Sequence, residues 1–184
     1  MGILEWIHNM DAQILLFIQQ YLRNDMFNWF WKGVTFLGDG GWFWIVLAIV
    51  LLFPKKTRKA GFTAALALAV GAIVTNLFLK TAAARIRPYD AVEGLVPLVA
   101  KLKDYSFPSG HTCASFSCAV VYDKMYPGRP GTAAIILAVL IALSRLYVGV
   151  HYPTDVLAGA LVGWLSALCA MKLVFYWEKR KNAV

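Results

Sequence analysis

The sequence predicts an all-α fold, a polytopic membrane helix bundle of about five to six transmembrane helices with an N-terminal interfacial helix. Of the 184 residues, 60% are hydrophobic and only 15% are charged, whereas soluble domains have about 45–50% apolar and about 25% charged residues. Long apolar runs alternate with short polar or basic segments. This composition excludes a disordered chain, a disulfide scaffold and an ordinary soluble enzyme, and we expect one integral-membrane domain over residues 1–184.

Residues 1–25 predict a helix that lies in the membrane interface rather than across it. The segment mixes apolar residues with three glutamines and three acidic residues. Its apolar residues recur at helical spacing, at Ile14, Phe17, Ile18 and Tyr21. A helix with one apolar and one polar face is typical of segments that lie along a membrane surface.

The later apolar runs predict the membrane spans. Ala60–Leu79 has no charged residue and is long enough to cross a bilayer. Trp29–Phe53 is interrupted by Gly-Asp-Gly-Gly at residues 38–41, so it either crosses once or partly re-enters. The other apolar runs are His111–Tyr122, which is short, Gly131–Ser144 and Val156–Trp177.

Three basic segments predict the topology. Residues 55–59, 124–129 and 179–181 are separated by pairs of predicted spans, so all three can lie on one side. The positive-inside rule makes that side cytoplasmic and places the C-terminus there. Residues 80–110 and 145–155 then lie on the extracytoplasmic side of the cell membrane.

The net charge of +8 does not require a nucleic-acid partner, because many of the 18 lysines and arginines fall in the basic loops. The three cysteines lie in apolar stretches without metal-ligand or disulfide spacing. They are interpreted as small apolar residues, and the sequence leaves the oligomeric state open.

Three short motifs fall in the two extracytoplasmic segments, where the positive-inside rule does not explain charge. They are Lys80 to Pro88, with a lysine seven residues before an Arg-Pro pair, Pro108-Ser-Gly-His111, and Ser144-Arg145 followed by His151 and Asp155. Charged residues at a membrane edge are costly and indicate a functional site.

The first group of residues in these motifs is suited to binding phosphate. Lys80, Arg87 and Arg145 are three cations that the topology brings to one face; arginine matches phosphate oxygens with a planar fork and lysine acts as a point charge. Ser109 and Gly110 stand just before an apolar helix, whose N-terminal N–H groups and dipole favour an anion.

The second group is suited to acid–base and nucleophilic chemistry. His151 and Asp155 are four residues apart at the start of the last helix, so the carboxylate can bind one ring nitrogen and leave the other free as a nucleophile. His111 has no carboxylate at close sequence spacing and is free to act as an acid or base.

The three motifs, in this order, resemble the signature of the type 2 phosphatidic-acid phosphatase superfamily, which includes membrane lipid phosphatases. The matching residues are Lys80, Arg87 and Pro88, then Pro108, Ser109, Gly110 and His111, then Ser144, Arg145, His151 and Asp155. The motifs span residues 80–155, and the hydropathy pattern extends the likeness over most of the chain.

The resemblance implies a phosphatase that needs no metal and no cofactor. His151 would attack phosphorus and form a phosphohistidine, Asp155 would orient it, and His111 would protonate the leaving oxygen and then activate water. The residues that would hold the phosphate oxygens are Lys80, Arg87, Ser109, Gly110 and Arg145.

The sequence leaves the lipid substrate open. Undecaprenyl diphosphate is favoured, because Arg85, Lys101 and Lys103 are further cations in the outer segment and could contact a second phosphate. They could equally be loop residues that aid solubility. Phosphatidylglycerophosphate and phosphatidic acid are alternative substrates, and an anion transporter without enzymatic activity is a distant alternative function.

Overall fold

The computed structural model describes residues 2–182, and in this part of the chain the regular secondary structure is helical, without strands. The α-helices are α1 Ile3–Phe17, α2 Asp25–Leu37, α3 Trp42–Leu52, α4 Arg58–Ala72, α5 Lys80–Ala83, α6 Pro88–Ala91, α7 Gly110–Met125, α8 Arg129–Tyr147 and α9 Pro153–Lys181. A short π-helical turn, Ile18–Leu22, extends α1, and a second, Ile73–Leu79, joins α4 to α5.

By length and composition, the described residues contain three or four candidate membrane spans, against the five to six that the sequence predicts. Three helical stretches are long and apolar enough to cross a membrane: Arg58–Ala91, α8 and α9. A fourth is possible if α2 and α3, which meet at an angle of 43°, form one broken span. The sequence count also included α7, but its 16 residues reach only about 24 Å, against a hydrocarbon core of about 30 Å.

Helix α7 lies at the centre of the bundle, packed mainly against α4, α8 and α9. Its buried face carries small and polar residues, and one of them, Ser115, accepts a hydrogen bond of 2.9 Å from the Trp44 indole. Gly163 lets α9 approach, since a Cβ there would lie 2.5 Å from the carbonyl oxygen of Cys113. Protein rather than lipid surrounds this helix, so it needs little hydropathy of its own.

The two ends of the bundle differ in chemistry. At one end the basic segments meet: the Tyr126 hydroxyl donates to the Lys56 carbonyl at 3.0 Å, and Lys59 pairs with Glu178. At the other end the loop before α7 meets the start of α9, where the Ser109 N–H donates to the Asp155 carbonyl at 3.0 Å. The predicted grouping of the basic segments at one end and the motifs at the other is therefore present in the fold.

Helix α1 packs against the end of the bundle that carries the motifs. Leu15 is fully buried beside Leu95 and Tyr152, and Asp11 is only 2% exposed. The opposite side of the helix is apolar and uncovered, with exposed side chains at Ile3, Trp6, Met10, Ile14, Phe17 and Tyr21. The docked side of α1 thus joins Leu15 to Asp11, and its placement in the membrane interface stays a prediction; Met1 lies outside the described residues.

Candidate active site

A cavity of about 300 Å³ opens at the motif end between α7, α4 and the break between α2 and α3. All three motifs contribute to its lining. Its polar lining residues include Lys80, Arg87, Asp104, Gly110, His111 and His151, while Ile45, Leu68 and Ala72 continue it along the helices as an apolar wall. The topology argument therefore placed residues separated by up to 71 positions around one cavity.

His151 lies on the short loop between α8 and α9 and is 2% exposed. Its Nδ1 faces Oδ2 of Asp155 at 3.4 Å, and its Nε2 is 3.4 Å from Nη1 of Arg87. Burial lowers the pKa of His151 to about 3, against the opposing effect of Asp155. The imidazole is therefore neutral at physiological pH, which leaves a lone pair available for attack on phosphorus.

Asp155 is completely buried near the start of α9, and each of its oxygens has a partner. Oδ2 accepts from the backbone N–H of Tyr152 at 2.9 Å and from the hydroxyl of Ser106. Oδ1 accepts from Nη1 of Arg85 at 2.7 Å. These bonds fix the carboxylate in the orientation in which it meets His151.

His111, in the first turn of α7, has a carboxylate partner that the sequence analysis missed. Its Nε2 lies 2.8 Å from Oδ1 of Asp39, which stands in the glycine-rich break between α2 and α3. Gly38 packs against the ring, since a Cβ there would lie 2.6 Å from Cδ2 of His111. The feature of the sequence that could have indicated this partner is Asp39 itself, a single carboxylate among three glycines between two apolar helices.

Arg87 and Lys80 share a second carboxylate that the sequence analysis missed. Nη2 of Arg87 donates to Oδ1 of Asp104 at 2.7 Å, and Lys80 pairs with Oδ2. The backbone carbonyls of Asp104 and Val150 also accept from Arg87, at 2.9 and 2.8 Å. Burial raises the pKa of the Asp104 carboxyl, but the hydrogen bonds from Lys80 and Arg87 outweigh this and lower it to about 2.

Arg145 is 2% exposed, and its charge acts on both His111 and His151. Its Nη1 donates to Thr35, whereas its Nε is buried without a hydrogen-bond partner among residues 2–182. A buried donor without an acceptor is costly. Arg145 is not among the residues that line the cavity, so its place beside a bound anion stays a prediction.

The Pro-Ser-Gly-His motif forms the N-terminus of α7. The Ser109 hydroxyl caps the helix by accepting from the backbone N–H of Thr112 at 3.4 Å, and it also accepts from the Thr112 hydroxyl at 3.0 Å. Gly110 lines the cavity, and a Cβ at this position would meet no atom within 4 Å. The backbone here is open to a ligand, although the N–H of Ser109 itself is taken by Asp155.

Neither expected role of Arg85 is correct. It is neither a solubility residue nor free for a second phosphate, because its guanidinium binds both Asp155 and Asp11 at 2.7 Å. Lys101 pairs with Asp90 at the surface, and Lys103 is exposed. Within residues 2–182 no group of three or more His, Cys, Asp or Glu side chains is placed to hold a metal ion.

Residues 60–179 match the family described as the PAP2 superfamily. The chain belongs to the PAP2 superfamily. This PAP2 chain is 41% identical over 126 residues to the undecaprenyl-diphosphatase of Sulfolobus acidocaldarius, a match that covers 68% of the chain and 61% of that relative. The match thus spans less than two thirds of the relative's length.

Solved structures agree with the fold of this PAP2 chain. Aquifex aeolicus LpxE superposes with a TM-score of 0.75 at 26% identity, covering 87% of this chain and 93% of that one. A PAP2 type phosphatidylglycerolphosphate phosphatase from Bacillus subtilis superposes with a TM-score of 0.74 at 27% identity, covering 95% and 87%. The helical bundle is thus that of a membrane PAP2 protein.

Proposed function

We propose that the chain is a membrane phosphatase that removes a phosphate from a lipid phosphate or diphosphate. The observation that carries the proposal is the pair His151 and Asp155, with a neutral buried imidazole that faces a cavity rich in cations. The family and the names of the relatives support the same class of reaction.

In the first step, Nε2 of His151 attacks phosphorus, the bond to the leaving oxygen breaks, and His111 as the imidazolium delivers a proton to that oxygen. Burial lowers the pKa of His111 to about 4, whereas Asp39 and the negative charge of the bound phosphate together favour the imidazolium. Asp155 stabilises the positive charge that develops on the His151 ring. In the second step, His111 takes a proton from water, the water oxygen attacks phosphorus, and the phosphohistidine bond breaks. Phosphate leaves and His151 returns to its neutral form.

The phosphate oxygens are held by Lys80, Arg87 and Arg145, together with Ser109 and Gly110 at the start of α7. Phosphoryl transfer depends chiefly on positioning and charge stabilisation, which three protein cations can supply without a metal or another cofactor. The unpartnered Nε of Arg145 and the open backbone at Gly110 support these assignments.

The substrate is a lipid, with undecaprenyl diphosphate favoured. The cavity continues from the cations along Ile45, Leu68 and Ala72, which suits an apolar tail. The relative from Sulfolobus acidocaldarius is named for undecaprenyl diphosphate. Since Arg85 is bound internally, only Lys101 and Lys103 remain for a second phosphate; phosphatidylglycerophosphate and phosphatidic acid stay as alternatives.

The active site faces away from the cytoplasm, and the C-terminus lies in the cytoplasm. The support is the positive-inside rule, because the basic segments gather at the end of the bundle opposite the cavity. A substrate presented in the outer leaflet reaches the cavity from that side.

The test is phosphate release by the purified full-length chain from undecaprenyl diphosphate, phosphatidylglycerophosphate and phosphatidic acid. His151→Ala is expected to abolish release and the trapping of labelled phosphohistidine. His8→Ala, which removes the histidine outside the motifs, is the matched control and is expected to keep both. Absence of release from every lipid by the wild type refutes the function, and an active His151→Ala variant refutes the nucleophile.

A further inference from the structure

The carboxylate of Asp155 is held by more than its neighbours in the motif. Arg85 reaches it from the loop after α5, where Ala84 adopts a left-handed conformation with φ of 43° and ends that helix. Nη1 of Arg85 lies 2.7 Å from both Oδ1 of Asp155 and Oγ1 of Thr154. A positive φ is unfavourable for alanine, and its presence here indicates that the position of Arg85 is enforced.

The second arm of the Arg85 guanidinium binds the N-terminal helix. Nη2 donates to Oδ2 of Asp11 at 2.7 Å, and the Thr154 N–H donates to Oδ1 of Asp11 at 3.1 Å. Asp11 has a side chain that is only 3% exposed, and the guanidinium carbon lies 3.8 Å from the centre of the Tyr152 ring. One arginine therefore joins α1 to Asp155 and to residues that lie between His151 and Asp155 in the chain.

The charges of this cluster match the needs of the proposed reaction. Asp11 and Asp155 carry two negative charges and Arg85 one positive charge, so the cluster places a net charge of −1 on the Nδ1 side of His151, whereas Arg87 lies at its Nε2. Without Asp11, Arg85 would cancel the charge of Asp155. With Asp11, one negative charge remains to balance the positive charge that the His151 ring acquires when it bonds to phosphorus.

We propose that Asp11 and Arg85 are positioning residues: together they fix the Asp155 carboxylate and preserve the negative charge that it offers to His151. The N-terminal helix is then part of the active-site architecture as well as an interfacial segment. This inference rests on the proposed phosphatase function.

The experiment compares Asp11→Asn and Arg85→Gln with the wild type, using full-length protein and the lipid that the wild type hydrolyses best. Each change is expected to lower kcat about 10²-fold with KM close to the wild-type value, because only the attacking geometry and charge are disturbed. Arg85→Lys should recover part of kcat, since one ammonium group can keep a single carboxylate in place.

A double-mutant cycle separates positioning from general stability. In an Asp155→Asn background, Asp11→Asn and Arg85→Gln should lower kcat by less than about threefold, because their effect passes through the missing carboxylate. Arg23→Gln is the matched control: Arg23 also ties the N-terminal segment to the bundle, through Tyr147 O at 2.8 Å, but it contacts no proposed catalytic group. Its kcat per folded molecule should equal that of the wild type.

Full additivity in the Asp155→Asn background, or an equal loss of kcat in Arg23→Gln, would overturn the inference. If Arg85→Gln does not fold, Asp11→Asn alone is compared with and without Asp155→Asn. An inactive wild type refutes the proposed function itself, whereas an active wild type with an active Arg85→Gln variant refutes only the positioning role.

Discussion

We predict that Asp104 competes with phosphate for the cations of the cavity, so that removing its charge strengthens the binding of phosphate analogues. Its carboxylate pairs with Lys80 and Arg87, and its side chain is 50% exposed on the loop before α7. Asp104→Asn keeps the shape of the side chain. Arg87 stays in place after the change, because the carbonyls of Asp104 and Val150 also hold it.

The expected change in affinity for phosphate analogues follows from the exposure of the ion pairs that Asp104 makes with Lys80 and Arg87. Hydrogen bonds from Lys80 and Arg87 lower the pKa of Asp104 to about 2 despite the raising effect of burial, so the carboxylate is fully charged in any assay near neutral pH. A half-exposed ion pair contributes about 0.2–1 kcal/mol. Two such pairs released together correspond to about 1 kcal/mol, or about fivefold in affinity.

The assay is competitive inhibition of phosphate release by orthovanadate. The inhibition constant for Asp104→Asn should be about fivefold lower than for the wild type. Asp90→Asn is the control, because Asp90 pairs with Lys101 outside the cavity and should leave vanadate binding unchanged. If Asp104→Asn weakens vanadate binding instead, Asp104 orients the cations rather than competing with substrate.

Three further predictions concern His111 as the general acid, activity without a metal ion, and the membrane topology. Asp39→Asn should slow the release of a lipid alkoxide more than that of p-nitrophenolate, because only the poorer leaving group needs the proton of His111; equal losses in kcat would contradict this. Activity should survive excess EDTA, and loss that magnesium or zinc restores would show a metal requirement. A cysteine at Thr57, in a variant lacking the native cysteines, should resist an impermeant maleimide in intact cells; labelling from outside would reverse the topology.

Residues linked by local spacing were predictable from the sequence. His151 stands four residues before Asp155, on the loop that leads into α9, and Ser109 stands where α7 begins, so these local relations follow from the sequence. Lys80 and Arg87 were grouped with Arg145 by the parity of the spans, which depends only on their number and order. The cavity brings all of these segments together.

The carboxylates that complete the site were not predictable in the same way. Asp39 is 72 residues from His111, and Asp11 is 74 residues from Arg85. Such pairs depend on how distant helices pack, and neither residue type nor local spacing selects them. Arg85 was assigned to solvent or substrate because its partners come from two other segments.

The predicted five to six spans and the three or four helical stretches that are long and apolar enough to cross a membrane differ for a related reason. The sequence count included α7 as a short apolar run, but this helix has 16 residues and packs against α4, α8 and α9, so contacts with protein rather than with lipid set its length and its polar residues. The glycines at residues 38–41 were correctly interpreted as a break. Their function in placing Asp39 and Gly38 against His111 emerges only when α7 is docked beside them.

Gly159 provides a test of how closely α9 must approach α7 for the site to form. A Cβ at this position would lie 2.6 Å from the Ser109 carbonyl oxygen and 3.1 Å from Cβ of Thr112. It stands one turn after Asp155, whose carbonyl accepts from the Ser109 N–H. Gly159→Ala therefore forces α9 away from the N-terminus of α7 at the point where the two halves of the site are joined.

Overpacking of this kind costs about 1–3 kcal/mol, and a shift of about 1 Å between reacting groups lowers rates by up to about 10²-fold. We expect Gly159→Ala to lower both the unfolding temperature and kcat. Gly163→Ala meets the Cys113 carbonyl at 2.5 Å one turn further from the site, so it should destabilise similarly with a smaller loss of kcat. Gly33→Ala, which lies inside α2 and meets no atom within 4 Å, should leave kcat unchanged and should not lower the unfolding temperature. An equal loss of kcat in the variants at 159 and 163 would mean that the bundle as a whole, rather than the joint between Ser109 and Asp155, limits catalysis.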